Sequence, residues 1–501
     1  MSDDRRDDRG RQRGAARSQG RGHRSGQAPS QRSRRTDPAR TAAFDVLREV
    51  DASDAYANLV LPPLLRERGL TGRDAAFATE VCYGTLRLRG RYDAILAACV
   101  DRPLDRLDPD VLDVLRLGAH QLLGMRVPAH AAVSETVGLA RDRVGAGPAQ
   151  MVNAVLRKVG RTTLAEWLDR LRDDAPDQVT ALATVGSHPV WITRALREAL
   201  HGNGRDAGEV ADLLEADNTA PRVTLVARPG LVDPAALADG SDARLEAGRL
   251  APSARVLASG ADPAALPAVA DGRGGVQDEG SQLVTLALAA VPLDGPDARW
   301  LDLCAGPGGK AALLGALAAQ RDATLVANEV QPHRARLVRR GVRALPDGVV
   351  DVRTGDGRAV GDDEPGLYDR VLVDAPCTGL GALRRRPESR WRRTPADLGT
   401  LTGLQAELLA SALDAVRPGG VVAYVTCSPH LAETRHVVDD VLRRRDDVER
   451  LDARAAVRDV LVPGASIDLG ADDGGAHGLD VQLWPHVHGT DAMHLTLLRR
   501  R

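Results

Sequence analysis

Phe44, Leu47 and Val50 fall at helical spacing directly behind Asp37-Pro38, a pair that reads as an N-cap followed by the first helical residue. The same apolar spacing predicts helices over Arg73–Leu86, Arg91–Val100, Pro109–Leu123, Ala132–Val144 and Ala149–Val159, and Asp108-Pro109 repeats the capping pattern. Alternating strand patterns and β-turn pairs are scarce, so residues 37–180 are expected to form an all-α domain. Residues 1–36 are Arg, Gly, Ser, Gln and Asp with almost nothing apolar, and are expected to be a disordered Arg-rich tail. Its arginines suit loose RNA contact; a purely solubilising role is the alternative.

The texture changes over residues 181–285, where RVTLVARP (222–229) is strand-like and Ala/Pro/Gly-rich turns follow, which predicts a small α+β subdomain. Over residues 286–501 short apolar runs, ATLVANEV, VVDVRTGD, YDRVLVDAP and GGVVAYVTCS, alternate with helical runs. Strands that read apolar throughout are buried on both faces, as in a parallel sheet, so an α/β Rossmann-like domain is expected. MHLTLLRR (493–500) reads as its edge strand.

Length and charge narrow the reading. A chain of 501 residues holds several domains, and its net charge of −2 gives no global attraction for nucleic acid, so any basic surface must be local. No run reaches membrane-spanning length and no apolar signal core opens the chain. Five widely spaced cysteines, Cys82, Cys99, Cys304, Cys377 and Cys427, with no CxxC pair argue against a disulfide scaffold or a zinc site and fit a reducing cytoplasm. Of 67 basic residues only Lys158 and Lys310 are lysine.

Lys310 ends the densest turn signal in the chain, WLDLCAGPGGK (300–310). Strand, glycine turn and helix start follow one another there, and Gly306, Gly308 and Gly309 let a ligand approach main-chain N–H groups. The spacing is neither a P-loop nor GxGxxG, and an ordinary tight turn remains an alternative. In such a sheet ligands sit at the carboxyl ends of the strands. The first end offers Cys304, Ala305, Gly306, Pro307, Gly308, Gly309 and Lys310. The second offers Glu329, twenty residues after Gly309, the offset of a carboxylate that accepts ribose hydroxyls. The third offers Asp356, for an adenine amino group; the fourth Asp374-Ala375-Pro376-Cys377; the fifth Thr426-Cys427-Ser428. Singly, Glu329 could cap the next helix, Asp356 could serve a turn, and either thiol could be a small buried apolar group.

An acid and two cysteines at strand ends suggest cytosine chemistry. C5 of cytosine is a poor nucleophile until a thiolate adds at C6 and makes the ring an enamine. C5 can then attack an activated methyl group, and a base must remove its proton before the thiol leaves. S-adenosylmethionine as donor would account for Glu329 and Asp356.

Two resemblances sharpen this. AAFDVLREV, RDAAFATEVCYGTLRLRGRYDAIL and QMVNAVLRKVGR resemble the NusB-type RNA-binding helical domain, in the version fused to RsmB (Sun/Fmu) ribosomal-RNA cytosine-5 methyltransferases. DLCAGPGGK, LVDAPCTGLGALRRRPE and YVTCSPHLAET are similar to the motifs of the RsmB/NSUN methyltransferases. The resemblance implies a class I methyltransferase domain with a mostly parallel seven-stranded sheet. It implies Cys427 as nucleophile, Cys377 as the thiol that helps resolve the adduct, and Asp374 pairing with the cytosine near the cofactor. DNA cytosine methyltransferases use the cysteine of a Pro-Cys segment, so Cys377 is a competing nucleophile. Gly306 stands where many relatives carry Ala, and PHLAET replaces their Pro-Glu-Glu-Asn run, so no role carries over to Glu433.

RNA contacts are expected from Asn153, Arg157 and Lys158, or else these residues solvate their helix. A second set is Arg384, Arg385, Arg386, Arg390, Arg392 and Arg393 at the mouth of the site, with Trp391 stacking on a base; solvated charge is the alternative. The expected protein is a monomeric, cytoplasmic, metal-free RNA cytosine-5 methyltransferase acting on small-subunit ribosomal RNA. A transfer-RNA methyltransferase, a non-catalytic RNA-binding or antitermination-type factor and a small-molecule methyltransferase are the rivals.

Overall fold

The computed structural model describes residues 37–53, 55–258, 262–470 and 474–501; the expected tail, 1–36, lies outside them. The chain opens with helices α1 (Pro38–Ser53), α2 (Ala57–Glu67), α3 (Gly72–Arg87), α4 (Arg89–Ala97), α5 (Pro109–Leu123), α6 (Ala129–Arg143) and α7 (Ala146–Val159). Asp108 caps α5 by accepting from the Asp110 N–H. Phe44, Leu47, Leu115, Leu117, Val152 and Leu156 meet in one buried cluster. Each such side chain contributes about 1.5–3 kcal/mol on burial, against a few tenths for an exposed i,i+4 pair, so apolar spacing fixes these helices.

Helices α8 (Leu164–Asp173), α9 (Gln178–Val185), α10 (Val190–Gly202) and α11 (Val210–Asn218) carry helical structure well past residue 180. Ile192, Leu196, Leu213 and Leu214 of α10 and α11 form a cluster with Leu380, Leu383 and Trp484, and so pack on the C-terminal domain. The small sheet starts at β1 (Thr224–Ala227) and adds β2 (Leu245–Ala247), β3 (Ala254–Leu257) and β4 (Gly274–Val276), antiparallel in the order β2-β3-β1-β4.

The C-terminal domain runs α12 (Glu279–Ala290), β5 (Arg299–Asp302), α13 (Gly309–Ala319), β6 (Thr324–Asn328), α14 (Pro332–Val342), β7 (Val350–Arg353), β8 (Tyr368–Asp374), α15 (Pro395–Ala415) and β9 (Val416–Thr426). It continues with α16 (Arg435–Leu442), β10 (Val448–Leu451), α17 (Ala453–Asp459), β11 (Val481–Gln482) and β12 (His494–Arg500). The sheet order is β10-β12-β9-β8-β5-β6-β7, with β11 pairing to β12. β5 to β9 are mutually parallel, β12 is antiparallel to β9, and the mostly parallel Rossmann-like sheet is as expected. The chain leaves β5 toward β6 and β7, then returns to the other side for β8 and β9. The loop after β5 therefore opens at the switch point, where such sheets bind ligands.

Two expectations need correction. MHLTLLRR is no edge strand: β12 lies between β9 and β10, with His494–Leu498 buried. The edge belongs to β10, a short strand carrying Glu449 and Arg450, whose charges discourage further pairing. The arginine-rich segment 384–393 is likewise not a free basic mouth. Arg390 is fully buried and donates to the carbonyls of Arg87 (2.8 Å), Ser187 (3.1 Å) and Asp217 (2.7 Å) and to Asn218 Oδ1 (2.7 Å). Arg392 donates to the carbonyls of Val50 and Ala55, both at 2.7 Å, and Glu388 accepts from the Ala57 N–H at 3.0 Å. Trp391 packs on Gly90, where a Cβ would come within 2.4 Å of the indole ring. Arg384 is buried and donates to the Gly489 carbonyl at 2.9 Å. Acidic partners are sparse in the local sequence, but the fold brings distant ones: carbonyls and an amide of the helical regions to Arg390 and Arg392, and Asp491 to Arg384 and Arg385. The segment joins the N-terminal helices to the C-terminal domain; of the predicted RNA contacts there Arg384 and Arg390 are buried, while Arg385, Arg386, Trp391, Arg392 and Arg393 are half-buried.

No described helix is long and apolar enough to cross a membrane, and no described group of three or more His, Cys, Asp or Glu could hold a metal ion.

Candidate active site

Gly308 takes φ +110° at the start of α13, and a Cβ there would sit 3.0 Å from the Val338 backbone of α14, so glycine is required for both conformation and approach. Lys310, in the first turn of α13, reaches across to the end of β8 and pairs with Asp374 at 2.7 Å. Burial works against the lysine's charge, but Asp374, with smaller help from Cys427 and Asp302, more than offsets it and raises the Lys310 pKa.

The glycine loop also binds the end of β6. Glu329 is almost fully buried; one oxygen accepts from the Gly306 N–H (3.0 Å), the other from the Gln331 N–H (2.9 Å). It thus serves the start of α14 and the loop at once. A Cβ at Gly306 would come within 2.1 Å of the Glu329 carboxylate, so glycine makes room for this contact. Asp356, beyond β7, accepts from the Arg358 N–H at 3.0 Å and from its guanidinium, which holds its carboxyl below the usual range; in this structure it fills the turn role.

Cys377 and Cys427 follow the ends of the adjacent strands β8 and β9, and their sulfurs are 3.4 Å apart, both partly exposed. The hydrogen bond between them lowers the Cys427 pKa and, with burial, raises that of Cys377. Of the two, Cys427 is the more readily ionised thiol. Lys310 also favours the Cys427 thiolate, while burial and Asp374 oppose it. Gly381 donates to the Cys427 carbonyl at 2.8 Å and accepts from the Ala492 N–H at 2.9 Å; a Cβ would come within 2.1 Å of the Ala492 carbonyl oxygen. Arg385, bound by Asp491 through Nε at 2.8 Å, lies within electrostatic reach of Cys427. On the helical domain, Arg157 donates to Asn153 at 3.2 Å and Lys158 to the Cys99 carbonyl at 3.3 Å, both on the exposed side of α7.

Asp302, the last residue of β5, is missed by sequence reasoning. It is fully buried and neither oxygen meets a donor in hydrogen-bonding geometry. Burial, then Asp374, pushes its carboxyl up to about 8, while Lys310 and the Cys304 amide oppose them. The available signal was an acid ending an otherwise buried strand. Its folded pKa lies above the roughly 3.9 of an unfolded chain, so the native state binds the extra proton between those values and loses stability as pH rises through that window. Asp302→Asn is expected to flatten this slope, leaving the variant at least as stable as the parent at pH 8. Denaturation midpoints at pH 5, 6.5 and 8 check it; an unchanged slope would show that Asp302 is ionised throughout.

Comparisons with known proteins agree with this geometry. Residues 290–499 match the 16S rRNA methyltransferase RsmB/F family and residues 37–161 the NusB family. The chain is 51% identical over 470 residues to the methyltransferase Rv1407 of Mycobacterium tuberculosis, covering 94% of this chain and 98% of the relative. It is 34% identical over 439 residues to ribosomal RNA small subunit methyltransferase B of Xanthomonas campestris, covering 85% and 89%.

The chain belongs to the RsmB/RsmF methyltransferase family.

As a member of that family it is an RNA methyltransferase. The crystal structure of PH0851 shares its fold, with a TM-score of 0.73 at 20% identity over 92% of this chain and 97% of the other. NSun6 from Pyrococcus horikoshii, solved with SFG, matches 61% of this chain and 98% of its own, with a TM-score of 0.50 at 16% identity. RsmB/RsmF membership accounts for a NusB-like domain and a methyltransferase sheet in one chain.

Proposed function

We propose that this RNA methyltransferase transfers a methyl group from S-adenosylmethionine to C5 of a cytosine in small-subunit ribosomal RNA, through a covalent adduct at C6. The observation that carries the proposal is the pair of thiols 3.4 Å apart beside the Lys310–Asp374 ion pair. One thiol with a depressed pKa and a second that keeps its proton suit a reaction in which one sulfur adds and another group completes the cycle.

S-adenosylmethionine, when bound, supplies an electrophilic methyl group. The residues present fit it. The orphaned Asp302 carboxyl suits the cationic methionine end, Glu329 the ribose, and the helix start at Gly309 and Lys310 lies at the switch point. Asp356 is assigned to the adenine, and would exchange its Arg358 contact for that role.

Cys427 Sγ forms a bond to C6 of the cytosine, and the displaced ring electrons make C5 nucleophilic. Asp374 takes the hydrogen-bonding edge of the base, and the adjacent Lys310 ammonium offsets negative charge that develops on the ring. After methylation a base removes the C5 proton, the ring double bond re-forms and the Cys427 sulfur leaves; Cys377 is assigned to this closing step. Reaching Cys427 requires the cytosine to be unstacked. Arg385 and Arg386, with Arg157 and Lys158 on the helical domain, are assigned to RNA phosphates. The protein is taken as monomeric and cytoplasmic.

The name of the Xanthomonas relative supports ribosomal RNA as substrate. The test is purified protein incubated with S-adenosylmethionine and unmodified small-subunit rRNA or tRNA, read by bisulfite sequencing. A single new 5-methylcytosine in the rRNA is expected. Modification of tRNA alone would overturn the substrate assignment, and methylation of any other atom the chemistry.

A further inference from the structure

Glu433, six residues after Cys427, has no role carried over from the family motif. The structure makes it the meeting point of the two cysteine loops. It is fully buried in the short helical turn Leu431–Glu433. One carboxylate oxygen accepts from the Thr378 N–H (2.7 Å) and from Gln405 Nε2 (3.2 Å). The other accepts from the hydroxyls of Thr378 and Ser428, the latter at 2.6 Å. Thr378 directly follows Cys377, and Ser428 directly follows Cys427. Gln405 extends the tie by donating to the carbonyl of Pro376, before Cys377, at 2.8 Å. Tyr424 of β9 holds the Glu433 backbone by donating to its carbonyl at 2.7 Å.

We infer that Glu433 is a positioning residue that fixes the separation of Cys377 and Cys427, and so governs the closing step of the reaction. The inference rests on the reading of these two thiols as the reacting pair. Four donors converge on the carboxylate from both loops and from α15, and the group is sealed from solvent, so it neither touches substrate nor exchanges protons with it. The cysteines belong to loops after different strands, and the direct link between the adjoining residues is a single hydroxyl pair, Thr378 to Ser428 at 3.2 Å. Without the carboxylate the loops keep only the Thr378–Ser428 hydroxyl pair, the thiol contact itself and the Gly381 N–H on the Cys427 carbonyl, and lose the four-donor tie beside the sulfurs. Glutamine cannot substitute, because its amide nitrogen presents hydrogens where a donor must be accepted. Aspartate is one methylene too short to span both loops.

The test compares wild type, Glu433→Gln, Ser428→Ala and Cys377→Ala, with folding checked by circular dichroism and by S-adenosylmethionine binding. The first readout needs no RNA. Diamide oxidises the two neighbouring thiols to a disulfide, and peptide mapping follows the Cys377–Cys427 crosslink. Glu433→Gln is expected to slow it at least about tenfold, and Ser428→Ala, which removes one anchor, to slow it less. The second readout is turnover. Glu433→Gln should lower kcat about 100-fold, the scale of a 1 Å misplacement, with KM for RNA little changed. It should also accumulate a denaturation-resistant protein–RNA adduct, as is expected of Cys377→Ala. A wild-type crosslinking rate with wild-type turnover in Glu433→Gln overturns the inference. If that variant does not fold, unchanged crosslinking and turnover in Ser428→Ala overturn it. If neither wild type nor Cys377→Ala forms an adduct or transfers methyl, the cytosine reading itself fails, while the crosslinking rates still report on Glu433.

Discussion

Cys427→Ala is expected to abolish methyl transfer, by roughly four orders of magnitude or more, the scale of removing a covalent nucleophile. S-adenosylmethionine should still bind, because the Cys427 side chain contributes no tie to the glycine loop; its hydrogen bond is to Cys377. The alanine leaves the loop anchored by the Gly381 N–H on the Cys427 carbonyl and by Ser428 on Glu433. Single-turnover methyl transfer, with cofactor binding by calorimetry, checks this. Turnover within tenfold of wild type would exclude Cys427 as nucleophile. Retained adduct formation in Cys427→Ala, together with its loss in Cys377→Ala, would exchange the two roles, which is the assignment a Pro-Cys segment suggests from sequence.

Arg390→Met should be the most destabilising single change outside the site. Methionine fills much of the space but leaves three carbonyls and the Asn218 side chain without a donor, all deep in the junction. Unsatisfied buried polar groups cost about 1–3 kcal/mol each where water cannot reach them, and breaking a buried charged network typically costs about 3–5 kcal/mol in total. Burial already lowers the Arg390 pKa to about 10, with Asp217 opposing, so the charge is held at a cost that its hydrogen bonds offset. The loss should appear first as faster amide exchange and proteolysis around residues 85–90 and 186–190, because those backbones meet at the guanidinium. Exchange unchanged there, with a denaturation midpoint near that of the parent, would show that the junction does not depend on Arg390.

The contrast between these two residues marks how much the sequence reveals. Cys427 is legible because its chemistry is declared locally: a buried apolar run, then Thr-Cys-Ser at its carboxyl end, in a pattern that predicts a parallel strand. Arg390 is misread because a basic cluster with few nearby acids looks like a surface for phosphate. Its acceptors lie 303, 203, 172 and 173 residues away in sequence, and no local pattern encodes them. The same holds for Glu433, whose partner Thr378 is 55 residues distant, and for Asp302, whose environment depends on what closes over the end of β5. The place of β12 was misread because the four-residue strand β10 is too short and too charged to announce itself.

By itself, then, the sequence determined the helical N-terminal region, the Rossmann-like sheet, the glycine loop and the two cysteines. Each depends on periodicity or on residues only a few positions apart, and burial of apolar side chains enforces such patterns wherever they occur. The tertiary structure alone decided which charges are buried, which arginines join domains, and which carboxylate ties the two thiol loops together. A buried charge is tolerable only where distant parts of the chain bring it donors or acceptors, and that matching exists only once the chain is folded.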